Sequence, residues 1–296
     1  MTIKIANAPC SWGVDYAEDI NNPKWKDVFR EISIAGYNYC EIGPYGFLPK
    51  DEIKTLQYLS ELNLDVVGGF IFDHLHDPKY HSKIKSKIIS TCSFLHKLNG
   101  KVFVIIDHIS KQRMKTSGKK EISEELSRDS YNELVFFLKE ICSIVKEKYN
   151  LTPVIHPHAG TYIEYDYEFE RLLNDINSNY LGLCLDTAHL TYSGINPYSA
   201  ILKYNKLVKH MHFKDIKSHV LTNVYDKNID FDTAVSEGVF APLGNGMIDF
   251  NKIYKSLKEI NYDGFATIEQ DIDPTLGLNA IEYATKSLKY IDQFNK

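Results

Sequence analysis

No run of apolar residues in this sequence approaches the roughly 20 needed to cross a bilayer. Its opening, M-T-I-K-I-A-N-A-P, is too short and too quickly polar for a signal peptide. Cysteine is scarce, five residues without a C-x-x-C pair, so there is no obvious disulfide framework, and a reducing cytoplasm suits the chain. Cys10, Cys40, Cys142 and Cys184 lie in apolar surroundings and read as small core residues, although Cys10 also sits at a strand end. A basic excess is missing as well: 34 Lys and Arg stand against 39 Asp and Glu, and the net charge of −5 argues against a dedicated DNA binder. Ser/Gly linkers, low-complexity tracts and internal repeats are absent, which leaves no composition break at which to divide the chain. What remains is 44% apolar and 25% charged, ordinary for a soluble, enzyme-sized chain with a substantial core.

Along that chain, short apolar runs alternate with helical patterns. Ile3–Ala8, Tyr39–Ile42, Val66–Phe72, Val102–Ile106, Pro153–Ile155, Tyr180–Leu185, Leu207–Phe213 and Phe265–Ile268 read as strands. Helices are expected between them: Trp25–Ala35 (opened by Pro23 and stopped by Gly36), Asp51–Leu62, Lys79 to Leu98, Arg128–Tyr149, Tyr167–Ile176, Pro197–Tyr204, Phe250–Ile260 and Leu278–Phe294. Strict alternation favours one (β/α)₈ TIM barrel over residues 1–296 rather than two doubly wound domains. Two connections are long. Lys111–Glu121 reads as a loop or lid, and Lys214–Ile248, after strand seven, as an extended covering segment.

The strands end in chemistry. Trp12, Glu41, the D-H-L-H run with Asp73, His74 and His76, then Asp107 and His108, His156 and His158, Asp186 and His189, His212 and Lys214, and Glu269 and Asp271 all follow apolar runs. A barrel brings such ends to one face, where its active site lies. Strands five to eight offer His156, Asp186, His212 and Glu269, two imidazoles and two carboxylates that suit Mn²⁺, Co²⁺, Zn²⁺ or Fe²⁺. A hydrogen-bonded polar core is the alternative. His210 falls on the same side of its strand as His212 and reads as a residue of the barrel's interior layers, and His74, His76 and His108 read as rim residues.

D-T-A-H, H-F-K-D and I-E-Q-D, each ending a strand, resemble the xylose-isomerase-like superfamily of sugar isomerases and epimerases, which includes endonuclease IV. Within it, N-A-P-C-S-W-G-V, A-G-Y-N-Y-C-E-I-G-P-Y-G, I-H-P-H-A-G-T-Y-I-E and G-V-F-A-P-L-G-N-G-M-I-D-F are most similar to inosose dehydratases. The resemblance implies one divalent metal ion (Mn, Co, Zn or Mg) held at the ends of strands five to eight, with Asp186, His212 and Glu269 as three ligands. The family's first ligand, usually Glu, is replaced by His156, so the fourth comes from His156, His158 or Glu164. It also implies substrate binding by His189, or a second metal there, and association into homo-oligomers; the sequence marks no interface.

A metal bound to a ketone and its neighbouring hydroxyl stabilises an enolate, and a neutral imidazole near the working pH then removes the adjacent proton. Elimination of a β-hydroxyl gives dehydration, and return of the proton gives isomerisation or epimerisation. The expected function is a lyase dehydrating an inosose-like cyclic keto-polyol, with His158 as base, Lys214 at a substrate oxygen, and Trp12, Glu41 and His189 as substrate contacts. Each has a structural reading beside it: Trp12 in the core, Glu41 in a buried ion pair, Lys214 paired with Asp215 or Glu269. A ketose isomerase or epimerase is the second reading. Less favoured are a non-catalytic polyol-binding barrel and an endonuclease IV-like enzyme, whose Asp-x-His after strand seven meets Tyr225 and Lys227 here.

Overall fold

Runs of buried residues close on one another as a barrel. In the computed structural model, which describes residues 3–271 and 279–295, the strands are β1 (Lys4–Asn7), β2 (Tyr39–Glu41), β3 (Asp65–Asp73), β4 (Val102–Asp107), β5 (Thr152–Ile155), β6 (Gly182–Asp186), β7 (Val208–Phe213) and β8 (Phe265–Ile268). All pair in parallel, and β8 closes the ring between β7 and β1. β4 is buried at every position and β5 at all but its first, as sheets covered by helices require. Three strands run further than their apolar runs suggest. Asp73, Asp107 and Asp186 are their last residues, because a C-terminal strand residue still has a partner in the ladder.

Helices cover the outside by burying one stripe each. Trp25–Ile34 buries Val28, Phe29 and Ile32 and ends before Gly36, whose φ of +102° only glycine adopts easily. Elsewhere asparagine takes that left-handed place: Asn63, Asn99 and Asn261 follow helices Glu52–Glu61, His81–Lys97 and Phe250–Glu259 with φ of 53–60°. The expected last helix is seen over Ala280–Ile291; its expected first residue, Leu278, lies outside the described residues. Among the described residues no helix is long and apolar enough to cross a membrane.

Both long connections carry structure instead of irregular loop. Lys111–Glu121 contains a helix at Lys111–Thr116, with Ser110 as its cap, and a 3₁₀ turn at Lys120–Ile122. Lys214–Ile248 begins as an antiparallel ribbon, Asp215–Ile216 against Phe240–Ala241, which holds helices Ser218–Asp226 and Phe231–Ser236. Asp215 anchors it: its carboxylate accepts N–H groups from Ile216, Gly244, Gly246 and Ile248 at 2.9–3.1 Å. That is why Asp215 does not pair with Lys214.

The barrel interior is split in character. Val102, Val104, Ile106, Val154 and Cys184, with Phe70 and Phe72, make an apolar cluster separate from the larger core under the helices. Towards β1, β2, β7 and β8 the buried residues are polar: Asn7, Glu41, His210, His212 and Thr267. On β7 the alternation is visible, with Met211 and Phe213 outside, Phe213 packing on Phe250 and Tyr254, and His210 and His212 within.

Candidate active site

Asp186 is fixed first, by its own backbone surroundings. As the cap of helix Thr187–Tyr192, its Oδ1 accepts the N–H groups of Ala188 and His189, both at 2.8 Å. Its Oδ2 has no hydrogen-bond donor and stands 3.7 Å from His156 Nε2 and from Lys214 Nζ. Thr187 then locks β6 to β7, its hydroxyl donating to the Lys214 carbonyl at 2.6 Å and accepting the Lys214 N–H at 3.0 Å.

Lys214 lies among acids. Its ammonium is 3.0 Å from both oxygens of Asp271, 3.3 Å from Glu269 Oε2 and 3.5 Å from His189 Nε2. His212 Nδ1 reaches the same Glu269 oxygen at 3.2 Å. Burial opposes each of these charges; for Lys214, Asp186 and Glu269 their mutual attraction outweighs it, whereas burial raises the Asp271 pKa. Lys214 is held protonated by Asp271, Asp186 and Glu269; Asp186 is held ionised chiefly by Lys214, and Glu269 by His212 and Lys214. The histidines beside them go the other way. Burial, with the neighbouring His156 and Lys214, pushes His158 down to about 3, and burial and His158 keep His189 neutral.

These groups line a cavity of about 630 Å³ at the C-terminal ends of the strands, in the range that encloses a small organic ligand. His156, His158, His189, His212, Lys214, Glu269 and Asp271 form one side; Phe70, Phe72, Ile106 and Ile109 form another. The covering segment supplies Phe231, Asp232, Val235 and Phe240. His158 is oriented for chemistry. Its Nδ1–H donates to the Ala159 carbonyl at 2.8 Å, which leaves the Nε2 lone pair free, and its ring lies 3.8 Å from that of His189, centroid to centroid.

Three sequence expectations change here. Trp12 does not line the cavity; it lies in the 3₁₀ turn Pro9–Trp12 and its indole N–H donates to Glu31 of the first helix at 2.7 Å. Glu41 does not line it either. It lies beneath the site, 1% exposed, where Thr267, His210 and His212 donate to it. Glu164 holds no free donor for a metal, since Ser117, Gly118, Gly160 and Ser193 occupy its carboxylate at 2.7–3.1 Å and Arg113 lies 3.6 Å away. Buried Arg113, itself paired with Glu168, thus ties the loop after β4 to the loop carrying His158. His76 pairs with Asp107 and His74 stacks on His108, so all three histidines stay at the rim. Sequence reasoning passed over Arg113, Asp15, Tyr16 and Phe231. For Phe231 the signal was the length of the connection after β7.

Whether a divalent cation fits is a question of donors. Asp186, His212 and Glu269 each offer one atom within 4.8 Å of the others, and so do His156, Asp186 and His189. Asp186 Oδ2, His212 Nδ1 and His156 Nδ1 are buried without a hydrogen-bond partner. Mixed nitrogen and oxygen donors of this kind fit a divalent transition metal.

A closed parallel barrel with its acids and imidazoles at the strand ends defines a (β/α)₈-barrel enzyme. The sequence matches the xylose isomerase-like TIM barrel family over residues 29–294, and the chain belongs to that family. It is 32% identical over 298 residues to an inosose dehydratase of Clostridium botulinum, covering 98% of this chain and 97% of that one. Among solved structures it is similar to the probable 3-DHS dehydratase AsbF of Bacillus anthracis, with a TM-score of 0.74, 17% identity and coverage of 98% and 99%. The IolI protein, solved with a bound zinc atom, gives a TM-score of 0.74 at 16% identity, with coverage of 99% and 98%. The full-length match to an inosose dehydratase places the chain among the enzymes of this family.

Proposed function

We propose that this protein is a cytoplasmic, divalent-metal-dependent lyase that removes water from a cyclic keto-polyol of the inosose type. The observation that carries the reading is the pairing of two things on one cavity wall: a set of unpartnered acid and imidazole donors, and a neutral histidine with a free Nε2. His156, Asp186, His212 and Glu269 would hold the metal, with His156 in place of the family's usual carboxylate. When bound, a divalent cation supplies Lewis acidity to a ketone oxygen and so acidifies the neighbouring C–H.

The chain's own residues do the rest. His158 Nε2 takes the proton from the carbon beside the ketone. The Lys214 ammonium, steadied by Asp271, stands against the oxygen on which negative charge gathers. His158 then returns its proton to the β-hydroxyl as the C–O bond breaks, so that water leaves and a C=C bond remains. His189, in ring contact with His158, contacts the substrate and keeps the base in place. The aromatic side chains of the covering segment exclude bulk water.

The chain's full-length similarity to an inosose dehydratase supports this reading. The second reading, a ketose epimerase, is favoured by similarity to the solved D-allulose 3-epimerase of Methylomonas sp.. An endonuclease IV-like site finds no support at Tyr225, whose hydroxyl donates to the Tyr192 carbonyl instead of serving a metal cluster. Incubation of the metal-loaded protein with inosose and with free ketoses in D₂O, followed by NMR, separates the readings. A dehydrated product is expected; deuterium in an undehydrated epimer as the sole outcome overturns dehydration.

A further inference from the structure

Glu41, the last residue of β2, is a buried carboxylate that lies behind His212 and does not itself line the cavity, and its charge needs an explanation. Nothing around it is basic except two imidazoles. Its Oε1 receives His210 Nε2 at 2.9 Å, His212 Nε2 at 3.2 Å and the Thr267 hydroxyl at 2.6 Å. All four residues are 2% exposed or less. They come from β2, β7 and β8, with β1 lying between β2 and β8, so the contacts cross the barrel interior.

An ionised carboxylate only accepts hydrogen bonds. Each nitrogen facing it must therefore carry a hydrogen. For His212 that keeps a hydrogen on Nε2; Nδ1 faces the Glu269 carboxylate, so a cation taken up there would displace the Nδ1 hydrogen and leave Nε2–H on Glu41. Nδ1 is the atom that lies 3.2 Å from Glu269, buried and without a hydrogen-bond partner. We propose that Glu41 is the positioning residue of the metal centre: by holding His212 Nε2–H it fixes the ring and its tautomer, and by its negative charge it raises the ring's basicity, so that His212 receives the cation tightly through Nδ1. The inference rests on the metal reading above. A carboxylate behind a ligating imidazole orients the ring and makes it a better donor, and removing such a partner typically weakens metal binding by about 10- to 100-fold.

The chemistry also explains why the residue is Glu rather than Gln. A glutamine amide would fill the same space and accept the same hydrogen bonds through its carbonyl oxygen. It would bring no negative charge to raise the basicity of His212.

Two measurements on the full chain test this. The first uses the unaltered protein, with histidine labelled with ¹⁵N and assigned through the backbone, loaded with ¹¹³Cd. One-bond coupling of cadmium to His212 Nδ1 is expected; coupling to Nε2 overturns the proposal. The second compares the cadmium and cobalt dissociation constants of Glu41→Gln with those of the unaltered chain by chelator competition. The expected result is affinity lower by about 10- to 100-fold in a protein that retains its barrel by circular dichroism. Equal affinity in folded Glu41→Gln overturns the proposal and leaves the metal reading standing. If Glu41→Gln does not fold, the coupling measurement decides alone. If the unaltered chain binds neither cation, the metal reading falls and this inference falls with it.

Discussion

Asp186 and His189 are joined through a single oxygen: the His189 backbone N–H donates to Asp186 Oδ1 at 2.8 Å, leaving Oδ2 turned towards His156 and Lys214. One carboxylate thus ends a strand, starts a helix and faces the site. A carboxylate held this way would lose little freedom on taking up the proposed metal, because the helix has already fixed it.

Asp186→Ala, His212→Ala and Glu269→Ala are each expected to abolish retention of divalent metal and turnover, since each removes one donor of the proposed four-donor set. Metal analysis after gel filtration checks this. The barrel should remain, with unfolding still cooperative, although Asp186→Ala also loses a helix cap worth about 0.5–2 kcal/mol. Full metal occupancy in any one variant removes that residue from the ligand set.

The two histidines of I-H-P-H should part company. His156→Ala loses metal affinity, whereas His158→Ala keeps metal and substrate and loses a factor of about 10²–10⁴ in rate. Exchange of the substrate's acidic C–H with D₂O stops in His158→Ala. His156→Glu, which brings back the family's usual ligand type, keeps part of the metal and activity. Metal lost at His158 and exchange lost at His156 would interchange the roles.

Phe231 tests the covering segment. Deleting Val220–Val235, the simple experiment on a loop, is ruled out by the structure, because Val220, Leu221, Val224, Phe231 and Ala234 are buried. Phe231 packs its ring on those of His158, His189, Tyr192 and Phe240. Phe231→Ala should cost about 3–5 kcal/mol of stability and lower kcat/KM with the metal still bound. Unchanged kinetics in the folded variant would separate the segment from the reaction.

The rim pair His76 and Asp107 carries a pH dependence. His76 donates to Asp107 from both its backbone N–H, at 3.2 Å, and its Nδ1, at 2.8 Å. Burial works against the imidazolium, but Asp107 outweighs it and raises the His76 pKa above 6.5. A raised folded-state value gives stability that is complete below the unfolded value and is lost as pH rises through the folded one. His76→Asn should therefore lower Tm more, relative to the unaltered chain, at about pH 5.5 than at about pH 9. Equal losses at both would show that the charge contributes nothing.

The sequence by itself determined the alternation of strands and helices, and with it the barrel, because period and length are local properties of the chain. It also determined which residues end the strands. His156, His158, Asp186, His189, His212, Lys214 and Glu269 reach one site since a parallel barrel has a single C-terminal face. Direction was beyond it. Trp12 turns out to Glu31 and Glu41 turns down to His210 and His212, because side-chain aim at a strand end depends on the next turn and on partners far away in the chain. Glu164 looked as available as His156 until Ser117, Gly118 and Ser193 arrived from two other loops to fill its carboxylate. Those contacts join residues 29 to 47 positions apart, a separation over which only the closed barrel decides who meets whom.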